Sequence, residues 1–269
     1  MNELARIAEE AARAGGAVLA AHAGHVTGIR TKSGSPDMVT AADIASGVAV
    51  VRTIAARMPD ARFAVEEREV YDLVGVAEGG LDDPLVWVID PLDGTTSFVH
   101  GYPCYSVSIA CLAGGRPLAG AVFAVPSDEM YVAEAGGGAY RDGERLHCTG
   151  AHDIGMALVA TGFPYDRGAA LDRQLRIFER VLRPAHDVRR DGSAAIDLCH
   201  VAAGRTDGFW ETALKPWDMA AGALVVQEAG GIVTDFSGAA WSSTTVDVVA
   251  ANETLHSSLL RLIAEADRT

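Results

Sequence analysis

The chain predicts a mixed α/β fold, combining α+β and α/β texture, and three stretches carry that prediction. Residues 85–89, Leu-Val-Trp-Val-Ile, form an unbroken apolar run that reads as a fully buried strand. Residues 104–113, 117–125 and 129–134 read as antiparallel strands joined by turn-like segments such as Gly114-Gly115-Arg116-Pro117. Beyond about residue 150, strand and helix patterns alternate. This shift of texture suggests one domain over 1–269 built from two subdomains, roughly 1–147 and 148–269, that share a cleft.

Each element has its own signal. Leu4, Ile7, Ala8, Ala11, Ala12, Val18 and Leu19 fall at helical spacing, which predicts a first helix over 2–22, weakened in the middle by Gly15-Gly16. Residues 28–38 are a polar Gly/Ser/Pro loop, and a second helix is expected from Thr40 to about Met58. Phe63-Ala64-Val65 reads as a short strand ending in Glu66-Glu67, and an acidic, Gly-bearing stretch over 67–84 leads to the central strand. That strand is expected to stop at Asp90-Pro91, because Pro91 cannot donate to a ladder. Gly136-Gly137-Gly138 and Asp142-Gly143 mark hairpins. Strands are expected at 158–160, 209–210, 232–233 and 246–250, and helices at 169–182, 193–203, 217–229 and 252–267.

Composition narrows the functions. A chain of 269 residues can bury a substantial core, and 49% hydrophobic with 22% charged residues is ordinary for a soluble globular protein. No apolar run approaches the ~20 residues of a membrane span. The acidic, amphipathic start lacks the basic and apolar regions of a signal peptide, so a cytoplasmic protein without a membrane partner is expected. The net charge of −14 disfavours nucleic acid as a partner, since phosphate contacts need Lys and Arg. A small phosphorylated substrate would also be repelled unless metal ions reversed the local sign. Cys104, Cys111, Cys148 and Cys199 form no C-x-x-C pair and read as free buried thiols. The eight histidines show no close pairing, so a histidine-ligated metal is not expected.

The chemistry centres on Asp90-Pro91-Leu92-Asp93-Gly94-Thr95. Two carboxylates three apart, bent by a proline, can converge on hard cations, with the Leu92 carbonyl between them as a further oxygen ligand. They follow a buried strand, where open α/β sheets bind ligands, and a carboxylate pair there is costly unless compensated. The same residues also suit an Asx-type turn. Glu66-Glu67 offers a ligand and a supporting group, or a solvated surface pair. Asp218 stands in the first turn of a helix, which suits either a cap or a ligand. Thr40-x-x-Asp43 fits a capping box loosely; alternatively, Asp43 could pair with a hydroxyl that polarises water. Gly192-Ser193 opens a helix, either as an ordinary cap or as a site for an anion or sugar hydroxyls.

Together these pieces resemble the inositol monophosphatase family of Mg²⁺-dependent, lithium-sensitive sugar phosphatases. The resemblance runs from about Thr31 to Gly238 and rests on two long blocks, WVIDPLDGTTSFVHGYP at 87–103 and PWDMAAGALVVQEAGG at 216–231. DMVTAAD at 37–43, VEE at 65–67, TGFPY at 161–165 and GSAAIDLCHVAAGRTDGFWE at 192–211 support it.

The resemblance implies a layered αβαβα sandwich, dimeric as a homodimer, using two or three Mg²⁺ ions per site. Glu66, Asp90, the Leu92 carbonyl and Asp93 are implied as ligands of one ion, and Asp90, Asp93 and Asp218 of a second. Asp43 and Thr95 are implied as the dyad that, with Glu66, activates water. Gly94 and Thr95 would hold phosphate, and Glu211 with Gly192, Ser193 and Ala194 would meet the alcohol half of the substrate. Glu67 would support the ligands, and Lys32 would lie on a mobile loop near a weaker metal site.

The implied reaction is in-line hydrolysis of a phosphate monoester of a small polyol, sugar or amino alcohol, without a covalent enzyme intermediate. Inositol 1-phosphate leads; histidinol phosphate and fructose 1,6-bisphosphate stay open, as does a non-catalytic regulatory or binding role on the same fold. Haloacid-dehalogenase-type enzymes also place an Asp and D-G-T after a strand, but their pair is spaced D-x-D, whereas this chain has D-x-x-D with a proline. One departure from the family is Ser97 where Asn is common, which reaches less far. Lys215 before Pro216 sits on the substrate side and could tune specificity.

Overall fold

In a computed structural model, described over residues 1–31 and 38–268, the chain opens with α1 (Glu3–His22), the paired short strands β1 (Arg30–Thr31) and β2 (Met38–Val39), and α2 (Ala41–Arg57). Next come β3 (Arg62–Val65), α3 (Glu69–Val74), β4 (Ala77–Glu78), β5 (Val86–Asp93) and the short α4 (Thr95–His100). A meander follows: β6 (Ser106–Ala113), β7 (Arg116–Ala124), β8 (Glu129–Glu134), β9 (Gly138–Arg141) and β10 (Glu144–Arg145). The rest alternates through β11 (Leu158–Thr161), α5 (Ala169–Leu182), β12 (Asp187–Arg189), α6 (Ala194–Ala202) and β13 (Gly208–Glu211). It closes with α7 (Pro216–Glu228), β14 (Ile232–Thr234), β15 (Val248–Ala251) and α8 (Glu253–Ala266). Lys32 lies outside the described residues.

Two sheets result. The larger has the order β10-β9-β8-β7-β6-β5-β3-β4, antiparallel except where β3 runs parallel to β4 and β5. The smaller has the order β12-β11-β13-β15-β14, parallel across its first three strands and antiparallel at β15. α1 and α2 cover one face of the large sheet, α6 and α7 fill the space between the sheets, and α5 and α8 cover the far face of the small one. The architecture is therefore a layered αβαβα sandwich.

That layering explains the unbroken apolar run of β5. Val86 and Val88 face the core shared with α6 and α7, while Trp87 and Ile89 face the core shared with α1 and α2. A strand covered on both faces has no polar side to show.

Several expectations need correction. β5 does not stop at Asp90; it continues to Asp93, and its pairing with β6 shifts between Asp90 and Asp93. Pro91 is tolerated because it falls in that irregularity, where no ladder bond is required of it. The Pro91 carbonyl accepts a hydrogen bond from Ser46 Oγ on α2 at 2.9 Å. The Gly15-Gly16 pair does not interrupt α1. A Cβ at Gly15 would stand 2.7 Å from Val50 Cγ2, and one at Gly16 would stand 2.3 Å from the Phe123 ring, so the glycines let α1 press onto α2 and β7. The 67–84 stretch contains α3 and β4, and β12 was not foreseen; none is long enough to carry a periodic signal. The four cysteines are free, and three of them are buried. Among the described residues no helix is long and apolar enough to cross a membrane.

Candidate active site

The carboxyl ends of β3, β5, β11 and β13 and the N-termini of α4, α6 and α7 meet at a cavity of about 310 Å³. Ligands of α/β sheets gather at such ends. Glu66, Asp90, Leu92, Asp93, Gly94, Thr95, Gly192, Ala194, Glu211 and Asp218 all line it. Residues as far apart in sequence as Glu66 and Asp218 are therefore brought to one place.

Each carboxylate is positioned by its own element. Asp90 sits at the irregularity of β5, 2% exposed, with Oδ1 accepting the Leu92 N–H at 2.9 Å. Asp93 Oδ2 accepts from Ser193 Oγ at 2.6 Å and from the Ala195 N–H at 2.9 Å, which ties the end of β5 to the start of α6. Asp218 stands in the first turn of α7, where Oδ2 accepts the Lys215 N–H at 2.7 Å. Glu66 follows β3, and its N–H donates to the Ile89 carbonyl at 3.1 Å. Glu211 ends β13 and is 9% exposed. Gly94, at φ +93, turns the chain from β5 into α4; a Cβ there would stand 2.8 Å from the Cys104 carbonyl oxygen. Phe98 and Tyr105 stack edge to face at 5.1 Å and fix α4 against β6.

Burial and mutual repulsion hold these acids toward protonation. Burial, then Glu66, Asp93 and Asp218, keep the Asp90 carboxyl well above the ordinary range. Burial, then Asp93 and Glu66, do the same to Asp218. Burial pushes Asp93 up to about 6 against the pull of its Ser193 and Ala195 donors. Burial and Asp93 push Glu211 up to about 8. None of Asp90, Asp93, Asp218 and Glu211 forms an ion pair with Lys or Arg among the described residues. Buried acids without counter-charge either stay protonated or take a cation. Hard oxygen donors in this number suit Mg²⁺ in kind.

Asp43 lies beneath the cavity on α2. Its Oδ2 accepts from the Thr40 N–H at 2.9 Å and from Thr40 Oγ1 at 2.5 Å, while its Oδ1 accepts from Thr95 Oγ1 at 3.1 Å. The cap and the hydroxyl partnership, alternatives in the sequence, thus coexist on opposite oxygens. Burial pushes Asp43 up to about 6, so it is ionised at neutral pH. Thr95 Oγ1 also lies 3.1 Å from the Leu92 carbonyl, so its single proton is shared between two acceptors.

One expected substrate contact sits elsewhere. Ser193 does not line the cavity; it is 1% exposed and acts from behind, holding Asp93 and accepting the Ile196 N–H as the cap of α6. Its hydroxyl also lies 3.3 Å from Ser106 Oγ on β6, so all its partners are inside the protein. Glu67 is buried behind the lining at 3% exposure. The cavity also gains residues to which sequence reasoning gave no role: Arg190, Phe163, Tyr165 and Trp217. Their neighbours in TGFPY and beside Gly192 and Asp218 were the available signal.

A layered αβαβα sandwich whose sheet ends converge on a carboxylate-lined cavity defines the class: a layered α/β protein with its candidate site at the sheet ends. Comparison with known proteins makes it specific. The chain belongs to the inositol monophosphatase family, whose model matches residues 1–268. It is 38% identical over 265 residues to the putative Nus factor SuhB of Neisseria meningitidis, covering 98% of this chain and 99% of that protein. It is 38% identical over 242 residues to the chloroplastic phosphatase IMPL1 of Arabidopsis thaliana, covering 88% of this chain and 63% of that protein. Among solved structures it is similar to an IMPase of Thermotoga maritima, with TM-score 0.87 and 32% identity over 98% of this chain and 97% of that one. It is also similar to the extragenic suppressor protein SuhB of Bartonella henselae, with TM-score 0.88 and 34% identity over 97% and 98%.

Proposed function

We propose that the chain is a Mg²⁺-dependent hydrolase of small phosphate monoesters, with inositol 1-phosphate as the leading substrate. The observation that carries this reading is the convergence of Glu66, Asp90, Asp93 and Asp218 on one cavity, where Asp90 is buried, Asp93 and Asp218 are partly exposed on the wall, and none of these three forms an ion pair with Lys or Arg among the described residues. Glu66, Asp90, the Leu92 carbonyl and Asp93 would hold one cation, and Asp90, Asp93 and Asp218 a second. Bound there, the cations would supply charge neutralisation for phosphate and acidify a water.

The chain's own groups do the rest. Thr95 Oγ1 donates to Asp43 and keeps lone pairs free to accept from the attacking water, which it thereby orients. Asp43, ionised at neutral pH, lies behind that hydroxyl to take up positive charge; Glu66 is the second acceptor on the cavity wall. The backbone at Gly94 and Thr95 would meet phosphate oxygens. Gly192, Ala194 and Glu211 form the wall that would face the alcohol, where Glu211 is suited to hydroxyls or an amine. In this proposal the protein is a cytoplasmic homodimer, inhibited by lithium.

The test is phosphate release from a panel of inositol 1-phosphate, histidinol phosphate and fructose 1,6-bisphosphate, with Mg²⁺ and with EDTA. Metal-dependent release, highest kcat/KM on inositol 1-phosphate, and its loss in Asp93→Asn with an unchanged circular dichroism spectrum are expected. Release from no ester, or near-normal turnover by Asp93→Asn at saturating Mg²⁺, would overturn the reading. The name Nus factor carried by several relatives favours a second reading, a factor role that does not need hydrolysis. If Asp93→Asn replaces the wild-type gene without a growth defect while a deletion does not, that role is the essential one.

A further inference from the structure

Behind the cavity wall, Asp191, Asp197 and His200 each bring a potential ligand atom within 4.8 Å of the others. Asp191 stands in the turn before α6, and Asp197 and His200 are three residues apart on it, hence on one face. None of the three lines the carboxylate cavity. A further observation sets the group apart from an ordinary acidic cluster. Asp197 is 1% exposed, and its Oδ1 is buried without a hydrogen-bond partner. Native structures rarely leave such an atom unsatisfied.

The charges around Asp197 are mainly acidic, whereas Arg205 and Arg141 face His200. Burial, with Glu211, Asp191 and Asp93 nearby, holds Asp197 well above the ordinary carboxylate range, and only Arg190 pulls the other way. Burial and the Arg205 guanidinium hold His200 below its usual value, which favours the neutral imidazole that ligation requires. Arg205 Nη1 lies 3.4 Å from His200 Nε2, but the same nitrogen contacts Glu129 Oε2 at 2.6 Å and the Tyr131 hydroxyl at 3.2 Å. Arg205 therefore keeps its partners if the imidazole turns to another.

We propose that Asp191, Asp197 and His200 bind a divalent first-row transition cation at a site distinct from the carboxylate cavity. Two carboxylates and one imidazole suit Mn²⁺, Co²⁺ or Zn²⁺ better than Mg²⁺, which prefers oxygen alone. The cation joins the turn at Asp191 to the body of α6. Between them lie Gly192 and Ser193, and Ser193 Oγ is the group that holds Asp93. The site thus braces the segment that positions a cavity carboxylate. The expectation that histidine holds no metal considered only histidine pairs; the pattern here is Asp-x-x-His.

Mn²⁺ is the probe, and pulsed electron paramagnetic resonance on the full chain is the readout. No histidine lines the carboxylate cavity, so ¹⁴N modulation of bound Mn²⁺ reports the second site. Modulation is expected in the wild type at saturating Mn²⁺ and in Asp90→Asn. Its loss is expected in His200→Gln and in Asp191→Asn, the latter a partly exposed position whose substitution spares the core. No nitrogen modulation in the wild type, or modulation that survives both His200→Gln and Asp191→Asn, would overturn the proposal. Ester hydrolysis is not part of this readout, so its failure leaves this result interpretable.

Discussion

Asp93 receives two donors from the start of α6, one from a side chain and one from the backbone. Donors to a ligating carboxylate orient it, and losing one costs about 10–100-fold in metal affinity. Ser193→Ala removes a donor to Asp93 and the cap of α6 together. The expected result is Mg²⁺ activation shifted to higher concentration by about 10-fold or more, with about 1 kcal/mol of stability lost; metal titration of activity and urea melts check both. Thr95 makes the opposite kind of test, because its role is in orienting water. Thr95→Val is expected to lower kcat by about 10²–10⁴-fold with little change in KM, and Thr95→Ser to recover most of it. Equal rates for Val and Ser would remove Thr95 from the chemistry.

At the scale of elements, α1 runs through two glycines because its neighbours leave no room for a Cβ. Ala is ordinarily the better helix former by about 1 kcal/mol, yet Gly16→Ala is expected to destabilise by about 1–3 kcal/mol through overpacking against Phe123. A urea melt reads the sign directly. This is also where the sequence was least legible. The first helix, α1, could be read from the spacing of its apolar residues, whereas α7 is buried all round and carries no such period. The continuation of β5 through Pro91 could not be read, since a proline argues for an end unless a pairing irregularity is already known. Likewise Gly192-Ser193 read equally as an ordinary cap or as a substrate site, because spacing does not say which way a cap faces; the structure shows the cap. The carboxylates Asp90 and Asp93 were legible as a pair, whereas their meeting with Asp218 depends on α7 being inserted between two sheets.

For the whole molecule, concentrating acids in one cavity makes stability depend on pH and on cations. Glu211 is pushed up to about 8 by burial and by Asp93. Between its ordinary value of 4.5 and about 8, the folded metal-free chain keeps a proton that the unfolded chain has lost. Stability contributed by this group therefore falls as pH rises through that window and levels off above it. Thermal melts in EDTA are expected to show Tm declining across the window, with a shallower decline in Glu211→Gln. Mg²⁺ at about 100 times its dissociation constant should raise Tm by about 5–10 °C. The account as a whole depends on divalent ions among Glu66, Asp90, Asp93 and Asp218, and anomalous diffraction from Mn²⁺-soaked crystals tests it most directly. Peaks lying between these four side chains are the predicted result; a cavity without any peak, in crystals of protein that hydrolyses no ester, would contradict it.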